Sequence, residues 1–384
     1  MILKTYNVRS ECAGIYIHVP FCVTKCPYCD FYSVEGVKYQ SGFVKALKVE
    51  AVKRSYELEG VPIQSVYFGG GTPSLLSHIE VGEILQTLRS SYLLEDDIEI
   101  TMECNPGDLS QMDVEKHMAH GVNRFSIGAQ SFQPKLLNTL GRRHKREDTI
   151  RMYGYFQNLG VKNISLDLIY GIPEETLEDL EADLDQIIAM DPEHISTYHL
   201  IYEEGTPFFR ALESGQLQEV DEGMSLKMSS IVQKRLVEAG YEHYEISNFA
   251  KPGRRSRHNS SYWQGIPYIG LGPSAHSYIH PWRSYNPSDV DEYNRQLMRG
   301  AGFLNRSYEY ISGEVEFEEY LLTRMRTIEG ISLADIKEMG KELDQTQVKM
   351  MIDRGWLTQS GDRLRLTEVG INLSDAIILQ LSLS

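Results

Sequence analysis

The first two thirds of the chain alternate short apolar segments with longer segments of helical periodicity. The short segments are apolar or β-branched and are predicted strands: 14–19, 65–68, 98–103, 124–128, 163–169 and 194–201. The longer segments have apolar residues three and four positions apart and are predicted helices: 39–58, 79–91, 113–120, 147–159 and 177–190. Asp113 and Thr176 are predicted to start or cap two of these helices. Strand–helix units in series indicate an α/β fold with a parallel sheet, whose functional residues should lie at the carboxyl ends of the strands.

The loop after the first predicted strand carries Cys22, Cys26 and Cys29 with the spacing C-x3-C-x2-C. A four-iron cluster held by three cysteines keeps one iron open to a small molecule, so the spacing favours a [4Fe–4S] site. A zinc site remains an alternative, with His18 as the nearby candidate for a fourth ligand. A chance cluster of buried cysteines is a further alternative. A disulfide is disfavoured in a sequence without a secretory signal.

Glycines follow the second predicted strand in the run Gly69-Gly70-Gly71-Thr72-Pro73-Ser74. Glycine lets a ligand approach the backbone closely, although a tight turn before a helix would use the same residues. The run therefore predicts a ligand site only together with its place after a strand.

Polar residues also mark the ends of the later strands. Glu103 ends the third strand, where it either faces a site or is simply solvated, and Gln130 follows the fourth. Arg142, in the next loop, could pair with a carboxylate in a planar fork. Asp167 lies in the apolar fifth strand, where a charge needs partners such as ribose hydroxyls or a buried arginine.

These stretches together resemble a known family. The segment 15–33, IYIHVPFCVTKCPYCDFYS, is similar to the signature of the radical S-adenosylmethionine (SAM) superfamily. A narrower resemblance is to the HemN/HemW group of that superfamily. It is carried by the segments YFGGGTPSLL, ECNPG, GVNRFSIGAQSF, LGRRH, ISLDLIYGIP and EEGTPF. That group contains the oxygen-independent coproporphyrinogen III dehydrogenase and the HemW heme chaperones. The resemblance spans about residues 14–285 and implies a partial (β/α)6 radical SAM barrel.

The resemblance implies a role for particular residues. Cys22, Cys26 and Cys29 would ligate the [4Fe–4S] cluster, whose open iron is chelated by SAM in this superfamily. The SAM pocket would be lined by Tyr16, Tyr28, Gly70, Gly71, Thr72, Glu103, Gln130, Arg142 and Asp167.

Two departures separate this sequence from the dehydrogenase of the group. Phe31 stands where the dehydrogenase has a further cysteine, two residues after its third ligand. The dehydrogenase also has a longer N-terminal segment, whereas the first predicted strand starts here at residue 14. Both features resemble HemW proteins.

A second motif fits the HNxxYW pattern, which is associated with heme binding in HemW proteins. It is Arg257-His258-Asn259-Ser260-Ser261-Tyr262-Trp263. A neutral imidazole is a common ligand of heme iron, and aromatic rings can face a porphyrin. His258 is therefore the predicted heme ligand, with His276 and His280 as alternatives. The basic residues Lys251, Arg254, Arg255 and Arg257 could pair with heme propionates. Without the motif, the same residues would indicate a capping histidine, packed aromatics and a solvated loop.

The pattern changes after about residue 285. Helices are predicted at 289–300, 314–327, 332–339 and 345–354, and a hairpin at 356–367 around Ser360-Gly361-Asp362. Helices followed by a hairpin indicate a small, mainly helical, winged-helix-like domain that serves as a lid or docking domain. The predicted domains are a radical SAM core at 1–240, a connecting segment at 241–285 and a HemN C-terminal-like domain at 286–384.

Composition narrows the classes of function. A net charge of −16 argues against non-specific nucleic-acid binding, and no run of 18 apolar residues predicts a membrane span. The start lacks a signal-peptide core, and five cysteines suit a reducing cytoplasm, where we expect the protein to reside. Cys12 and Cys104 are expected to be buried apolar residues.

The resemblance implies a HemW-like heme chaperone that binds heme, a [4Fe–4S] cluster and SAM. Its partners would be a heme-accepting protein and an electron donor for the cluster. The alternatives are an oxygen-independent coproporphyrinogen III oxidase, which decarboxylates propionates by radical chemistry, and a radical SAM enzyme with an unrelated substrate. The sequence does not decide whether the chain is an enzyme.

Overall fold

A computed structural model of the chain describes residues 10–36, 38–299 and 304–383. The strands, in chain order, are β1 (Ala13–Val19), β2 (Phe21–Cys22), β3 (Val34–Glu35), β4 (Ile63–Gly70), β5 (Leu94–Cys104), β6 (Arg124–Gln130), β7 (Ile164–Tyr170), β8 (His194–His199), β9 (Glu242–Glu245), β10 (Asn248–Ala250), β11 (Tyr268–Leu271), β12 (His276–Ile279), β13 (Trp282–Tyr285), β14 (Ser307–Tyr310), β15 (Ile331–Ser332), β16 (Leu357–Ser360) and β17 (Arg363–Leu366).

The helices, in chain order, are α1 (Gln40–Arg54), α2 (His78–Ser91), α3 (Gln111–His120), α4 (Pro134–Thr139), α5 (Arg146–Asn158), α6 (Leu177–Met190), α7 (Pro207–Glu213), α8 (Glu222–Glu238), α9 (Arg257–Trp263), α10 (Val290–Arg299), α11 (Gly313–Arg324), α12 (Leu333–Glu338), α13 (Gln345–Asp353), α14 (Glu368–Ile371) and α15 (Ser374–Ser382). Short 3-10 helices lie at Ser55–Leu58 and Pro73–Leu75.

Six parallel strands form the centre of the main sheet in the order β1-β4-β5-β6-β7-β8, with helices between them along the chain. This confirms the predicted α/β barrel, and each predicted strand overlaps an observed one. Alternation places Ile15, Ile17 and Val19 of β1 in the helix-covered core, while Tyr16 and His18 point to the other face, inside the barrel.

The main sheet also includes strands that the sequence patterns did not predict. β11 pairs in parallel with β1 and is followed outward by β12, β13 and β14, while β10 and β9 extend the opposite edge beyond β8. These strands have only three or four residues each, too few for a clear period. Much of segment 241–285 therefore belongs to the same sheet as the core, and the domain boundaries at 240 and 285 stay predictions.

Helix starts show how capping corrects the predicted boundaries. Thr176 is the N-cap of α6, as predicted, and forms a capping box with Asp179. α3 begins earlier than predicted because Ser110 is its N-cap, and Asp113, the third residue of the helix, completes the capping box with Ser110. Likewise, the predicted helix 39–58 ends as α1 at Arg54, where a 3-10 turn begins.

The C-terminal region has a hydrophobic core of its own, which includes Leu321, Met351, Leu364 and Leu381. Its elements follow the order α11, β15, α12, α13, β16 and β17, and the three strands form a small separate sheet. The predicted winged-helix-like arrangement and hairpin are present. The predicted helix 289–300 corresponds to α10, and its last residue, Gly300, lies outside the described residues. Over the described ranges, no helix is both long and apolar enough to cross a membrane.

Candidate cluster and cofactor site

A cavity of about 490 Å³ opens at the carboxyl ends of the six central strands. Most of the predicted site residues line it: Cys22, Cys26, Tyr28, Cys29, Gly70, Gly71, Thr72, Glu103, Gln130, Arg142 and Asp167. Tyr16 and His258 do not appear among its lining residues. The structure therefore brings the other predicted site residues together around one cavity, and their roles stay predictions.

The cysteine loop is fixed by its own backbone hydrogen bonds. β2 and β3 pair in parallel, so that Cys22 lies opposite Glu35 at the two ends of the loop. The Gly36 amide donates to the Cys22 carbonyl at 2.9 Å, and the Lys25 amide donates to Glu35 Oε1 at 3.0 Å. Inside the loop, the Cys29 amide donates to the Cys26 carbonyl at 3.2 Å. The three half-buried thiols are thus held in place by the backbone that carries them.

Two of the thiols already have polar neighbours. Thr72 Oγ1 lies 3.6 Å from Cys22 Sγ and receives a hydrogen bond from Asn105 Nδ2 at 3.1 Å. Arg142 Nη1 lies 3.5 Å from Cys26 Sγ, and its other amino group donates to the Gly128 carbonyl at 2.9 Å and to Asn105. A hydroxyl and a guanidinium beside sulfur atoms are the donors that stabilise ligating thiolates.

The glycine run makes room for the cysteine loop. A Cβ on Gly71 would lie 2.7 Å from the Phe21 carbonyl oxygen, which no side chain tolerates. Gly70 has φ +107°, a conformation that favours glycine, and a Cβ there would meet the His18 ring at 2.7 Å. These glycines are required for the close approach of β4 to the cysteine loop, whether or not a ligand also contacts them.

Two buried carboxyl groups face the cavity from neighbouring parts of the sheet. Burial raises the pKa of Glu103 to about 7, against the opposing effect of a 2.8 Å hydrogen bond from the Tyr67 hydroxyl. Burial also raises the pKa of Asp167, which accepts hydrogen bonds from Ser126 Oγ at 3.1 and 3.2 Å. Both groups would ionise more readily beside a cation or additional hydroxyl donors.

Several atoms around the cavity have unmet hydrogen-bonding capacity. Gln130 Oε1 and Arg142 Nε are buried with no hydrogen-bond partner among the described residues. Gln130 has φ 63°, an unusual conformation for a residue with a side chain. Together with Glu103 and Asp167, they suit a ligand with an ammonium group, a carboxylate and hydroxyls. SAM has all three groups, so the residues present fit it.

The alternative of a zinc site with His18 is not supported. His18 Nε2 is 2.8 Å from the Tyr32 carbonyl oxygen and Nδ1 is 3.1 Å from the Tyr16 hydroxyl, so both ring nitrogens are engaged. Across the described part of the chain, no three His, Cys, Asp or Glu side chains surround a point as ligands of a single metal ion would. A cubane needs a different arrangement, with one thiolate on each of three irons.

Tyr16 lies beneath the cavity instead of lining it. Its hydroxyl contacts His18, and its ring stacks near those of Tyr67 and His258, at centroid distances of 6.2 and 6.3 Å. Its predicted place in the SAM pocket is therefore indirect, through the side chains it supports.

The HNxxYW motif lies at the opposite end of the barrel. It forms α9, and His258 contacts the beginning of β4: His258 Nδ1 is 2.9 Å from Ser65 Oγ. His258 Nε2 is 2.9 Å from the Tyr262 hydroxyl, the ring stacks on Tyr67 at 5.0 Å, and the side chain is 1% exposed. Burial lowers the pKa of His258 to about 3. The imidazole is neutral as predicted, but both of its nitrogens are already bonded, so this geometry does not support His258 as a heme ligand.

The basic residues near this motif are also engaged. Lys251 pairs with Asp191 at 2.8 Å, Arg255 with Glu242 at 2.7 Å and Arg257 with Asp97 at 2.7 Å. Heme propionates would have to displace these carboxylates. Ion pairs within the chain therefore account for three of the four basic residues of the predicted cluster.

The other candidate histidines lie on the edge strands. His276 is exposed at the start of β12, with its ring against Tyr285 at 4.6 Å, and His280 lies 3.7 Å from Glu316 in the β12–β13 turn. Neither residue lines the cavity.

Sequence patterns did not single out some residues that shape the site. Arg124 is 1% exposed, its positive charge lowers the pKa of Glu103 and Asp167, and two of its nitrogens have no partner. In the sequence, Arg124 could have been identified as a single cation at the start of an apolar strand. Asn105 connects Thr72 to Arg142 but resembles a turn residue in the sequence. Cys104 is buried, as expected.

Comparison with known proteins adds family information to this geometry. Residues 16–187 match the radical SAM superfamily and residues 311–373 match the HemN C-terminal domain. Heme chaperone HemW of Bacillus subtilis is 32% identical over 94% of this chain and 97% of its own length. Heme chaperone HemW of Escherichia coli is 32% identical over 93% of this chain and 94% of its own length. The solved structure of coproporphyrinogen III oxidase (HemN) from Escherichia coli, a radical SAM enzyme, superposes with a TM-score of 0.83 at 19% identity, covering 97% of this chain and 90% of that one, and thus has the same fold.

Proposed function

Because this chain belongs to the HemW family of the radical SAM superfamily, we propose that it is a heme chaperone. In this proposal it binds heme, holds a [4Fe–4S] cluster with SAM, and passes heme to an acceptor protein. The observation that carries the proposal is similarity along nearly the whole chain to proteins named for that function.

The cluster would be held by Cys22, Cys26 and Cys29. Thr72 would donate to the Cys22 sulfur and Arg142 to the Cys26 sulfur, which stabilises both as thiolates. Such a cluster supplies one-electron chemistry to SAM when both are bound. These residues support that role because all of them line the same cavity, and the pairing of β2 with β3 holds the cysteine loop in place.

SAM would be oriented by the polar wall of the cavity. Glu103 would accept hydrogen bonds from the ammonium group, and Asp167 would accept them from hydroxyls, since both carboxyl groups line the cavity and burial raises the pKa of each. Arg142 Nε and Gln130 Oε1 would gain the partners they lack. Binding would thus remove the cost of leaving these buried groups unsatisfied.

A coproporphyrinogen III oxidase activity is the second candidate. The shared fold with the HemN enzyme favours it, as does the polar cavity, which a simple carrier would not require. The absence from this sequence of the further cysteine, replaced by Phe31, favours the chaperone.

The two candidates give different products from the same anaerobic preparation. The protein, reconstituted with cluster and SAM, is titrated with heme, and the heme-loaded form is mixed with apomyoglobin as a model acceptor. The chaperone proposal predicts saturable binding near one heme per chain, followed by transfer of heme to apomyoglobin. Failure to bind heme saturably would contradict it.

A parallel reaction contains coproporphyrinogen III, SAM and a reductant. The oxidase alternative predicts decarboxylated porphyrin together with 5′-deoxyadenosine. The Cys26→Ala variant is the control, because loss of the cluster would abolish such turnover.

A further inference from the structure

The entrance to the cavity carries exposed apolar side chains, in contrast to its polar interior. Phe31 and Ile201 are each 64% exposed, Tyr198 is 43% exposed, and all three belong to the cavity lining. Phe31 lies two residues after Cys29 in the segment that follows β1, whereas Tyr198 and Ile201 lie at the end of β8. Since β1 and β8 are the first and last of the six central strands, these side chains flank the entrance from its two sides.

An isolated exposed apolar residue needs no explanation, but a group of them around one cavity does. Contiguous exposed apolar surface beside a concave site marks the place where a ligand buries it. A ligand that covers these side chains would stabilise the complex by about 25 cal/mol for each Å² of apolar surface that it removes from water. The entrance is therefore suited to a broad apolar ligand.

The size of the cavity limits what can enter it. Its volume of about 490 Å³ lies in the lower half of the usual range of roughly 300–1,000 Å³ for a single small-molecule site. A cluster with its SAM would occupy such a volume. Two carboxyl groups in the wall, Glu103 and Asp167, also disfavour an apolar macrocycle inside.

We propose that heme lies across this entrance, with its macrocycle against Phe31 and Ile201, outside the cluster and SAM cavity. This proposal rests on the proposed heme chaperone function and names its heme site. The flat macrocycle suits the Phe31 ring, and the Lys25 ammonium on the same rim suits a propionate. Asp30 and Glu203 also lie on the rim, so the propionates face Lys25 and turn away from these two carboxylates.

Apolar contact, not a histidine–iron bond, holds heme in this arrangement. His199 is the histidine that lines the rim. Its Nε2 is 3.1 Å from Ser225 Oγ, and its ring lies against Gly171. A ligand held mainly by apolar contact leaves without breaking a strong iron bond. That property suits a carrier that must release heme to an acceptor.

The test compares heme affinity in two matched double variants of the full, cluster-loaded protein, by anaerobic difference absorbance. One variant is Phe31→Ala with Ile201→Ala. The control is Val369→Ala with Leu379→Ala, which shortens two similarly exposed apolar side chains, 58% and 59% exposed, on the C-terminal domain. We expect heme affinity to fall about tenfold or more in the first variant and to stay within about twofold of wild type in the control.

Iron content is measured on the same samples and should be unchanged in both variants, since neither substitution removes a thiol. SAM affinity is also measured, because Phe31 and Ile201 line the same cavity, and heme affinities are compared at saturating SAM. Wild-type affinity for heme in the Phe31→Ala/Ile201→Ala variant would overturn this site while leaving the chaperone function in place. An equal loss in the control would also overturn it, because binding would then depend on exposed apolar area in general. Absence of saturable heme binding by the wild type would instead overturn the proposed function itself.

Discussion

The two family motifs, at opposite ends of the barrel, differ in how completely the polar groups of their side chains are satisfied. At the carboxyl end, Gln130 and Arg142 carry buried atoms without partners beside an open cavity. At the amino end, α9 closes the barrel, and both ring nitrogens of His258 are bonded to Ser65 and Tyr262. Both ends carry a recognisable family motif. The difference indicates that the first motif builds a binding site and the second builds part of the structure.

The ends are also physically connected. Tyr67 donates to Glu103 in the cavity wall and stacks on His258 at 5.0 Å, and Arg124 lies between the two groups, affecting the pKa of both. A change in α9 can therefore disturb the cavity without any ligand binding to α9. Variants of the HNxxYW motif need a stability measurement beside any binding measurement for this reason.

The largest effect is expected at the cysteine loop. Cys26→Ala should abolish the cluster, because a three-cysteine site has no spare ligand and His18 is engaged elsewhere. Iron and sulfide analysis after anaerobic reconstitution measures this directly. The comparison variant is His258→Ala, which should retain wild-type iron; equal losses in the two variants would break the distinction between the ends.

His258→Ala should instead act on stability. It removes a fully buried ring with two hydrogen bonds, and we expect the free energy of unfolding to fall by about 3 kcal/mol. Denaturant unfolding of the folded variant measures this loss. Ser65→Ala, which removes a single partner of the ring, should cost about 1 kcal/mol. Heme affinity should stay within about twofold of wild type in both, and a large loss of heme affinity with unchanged stability would make His258 a ligand after all.

SAM affinity should depend on pH through Glu103. Its pKa is about 7 without ligand, and a cationic ligand favours the ionised form. Affinity should therefore level off well above pH 7 and fall as pH decreases through this value, by up to about tenfold per unit below it. Calorimetry between pH 6 and 8 measures this change on both sides of the Glu103 pKa of about 7. Glu103→Gln should bind SAM more weakly and without this pH dependence; a persistent dependence would assign the titration to another group.

The smallest effect is expected for the basic residues beside α9. Arg254→Ala and Arg257→Ala should each leave heme affinity within about twofold of wild type, because both residues lie beside α9, away from the proposed heme site, and Arg257 already pairs with Asp97. Heme titration at low and moderate salt checks this. A clear, salt-dependent loss in either variant would bring the propionates, and heme, back to the amino end.

The sequence was sufficient for the parts of the fold that repeat. Thr176 and the apolar period of α6 fixed both ends of that helix, and the position of Glu103 at a strand end placed it in the cavity. The short strands β9–β14 escaped prediction because their pairing, not their composition, makes them strands.

The roles of His258 and Tyr16 were beyond sequence reasoning for a different physical reason. Spacing shows which residue types occur together, but whether an imidazole nitrogen is free depends on contacts such as Ser65, which lies 193 positions away along the chain. Arg124 escaped for the same reason, since its influence on Glu103 and Asp167 arises only when three separate strands meet.

The central claim is that heme binds at the cluster end of the barrel. Gly70 at the cavity and Ser65 beside His258 are separated by roughly 17 Å of strand, at about 3.3 Å per residue. The most direct measurement is the fluorescence lifetime of bound zinc protoporphyrin, a heme analogue, in cluster-loaded and in cluster-free protein. Competition with heme is measured first, to establish that the two ligands share a site. Quenching by the cluster falls steeply with distance, so we expect the lifetime to shorten strongly when the cluster is present. Saturable binding with the same lifetime in both forms would contradict the account and return heme to the amino end.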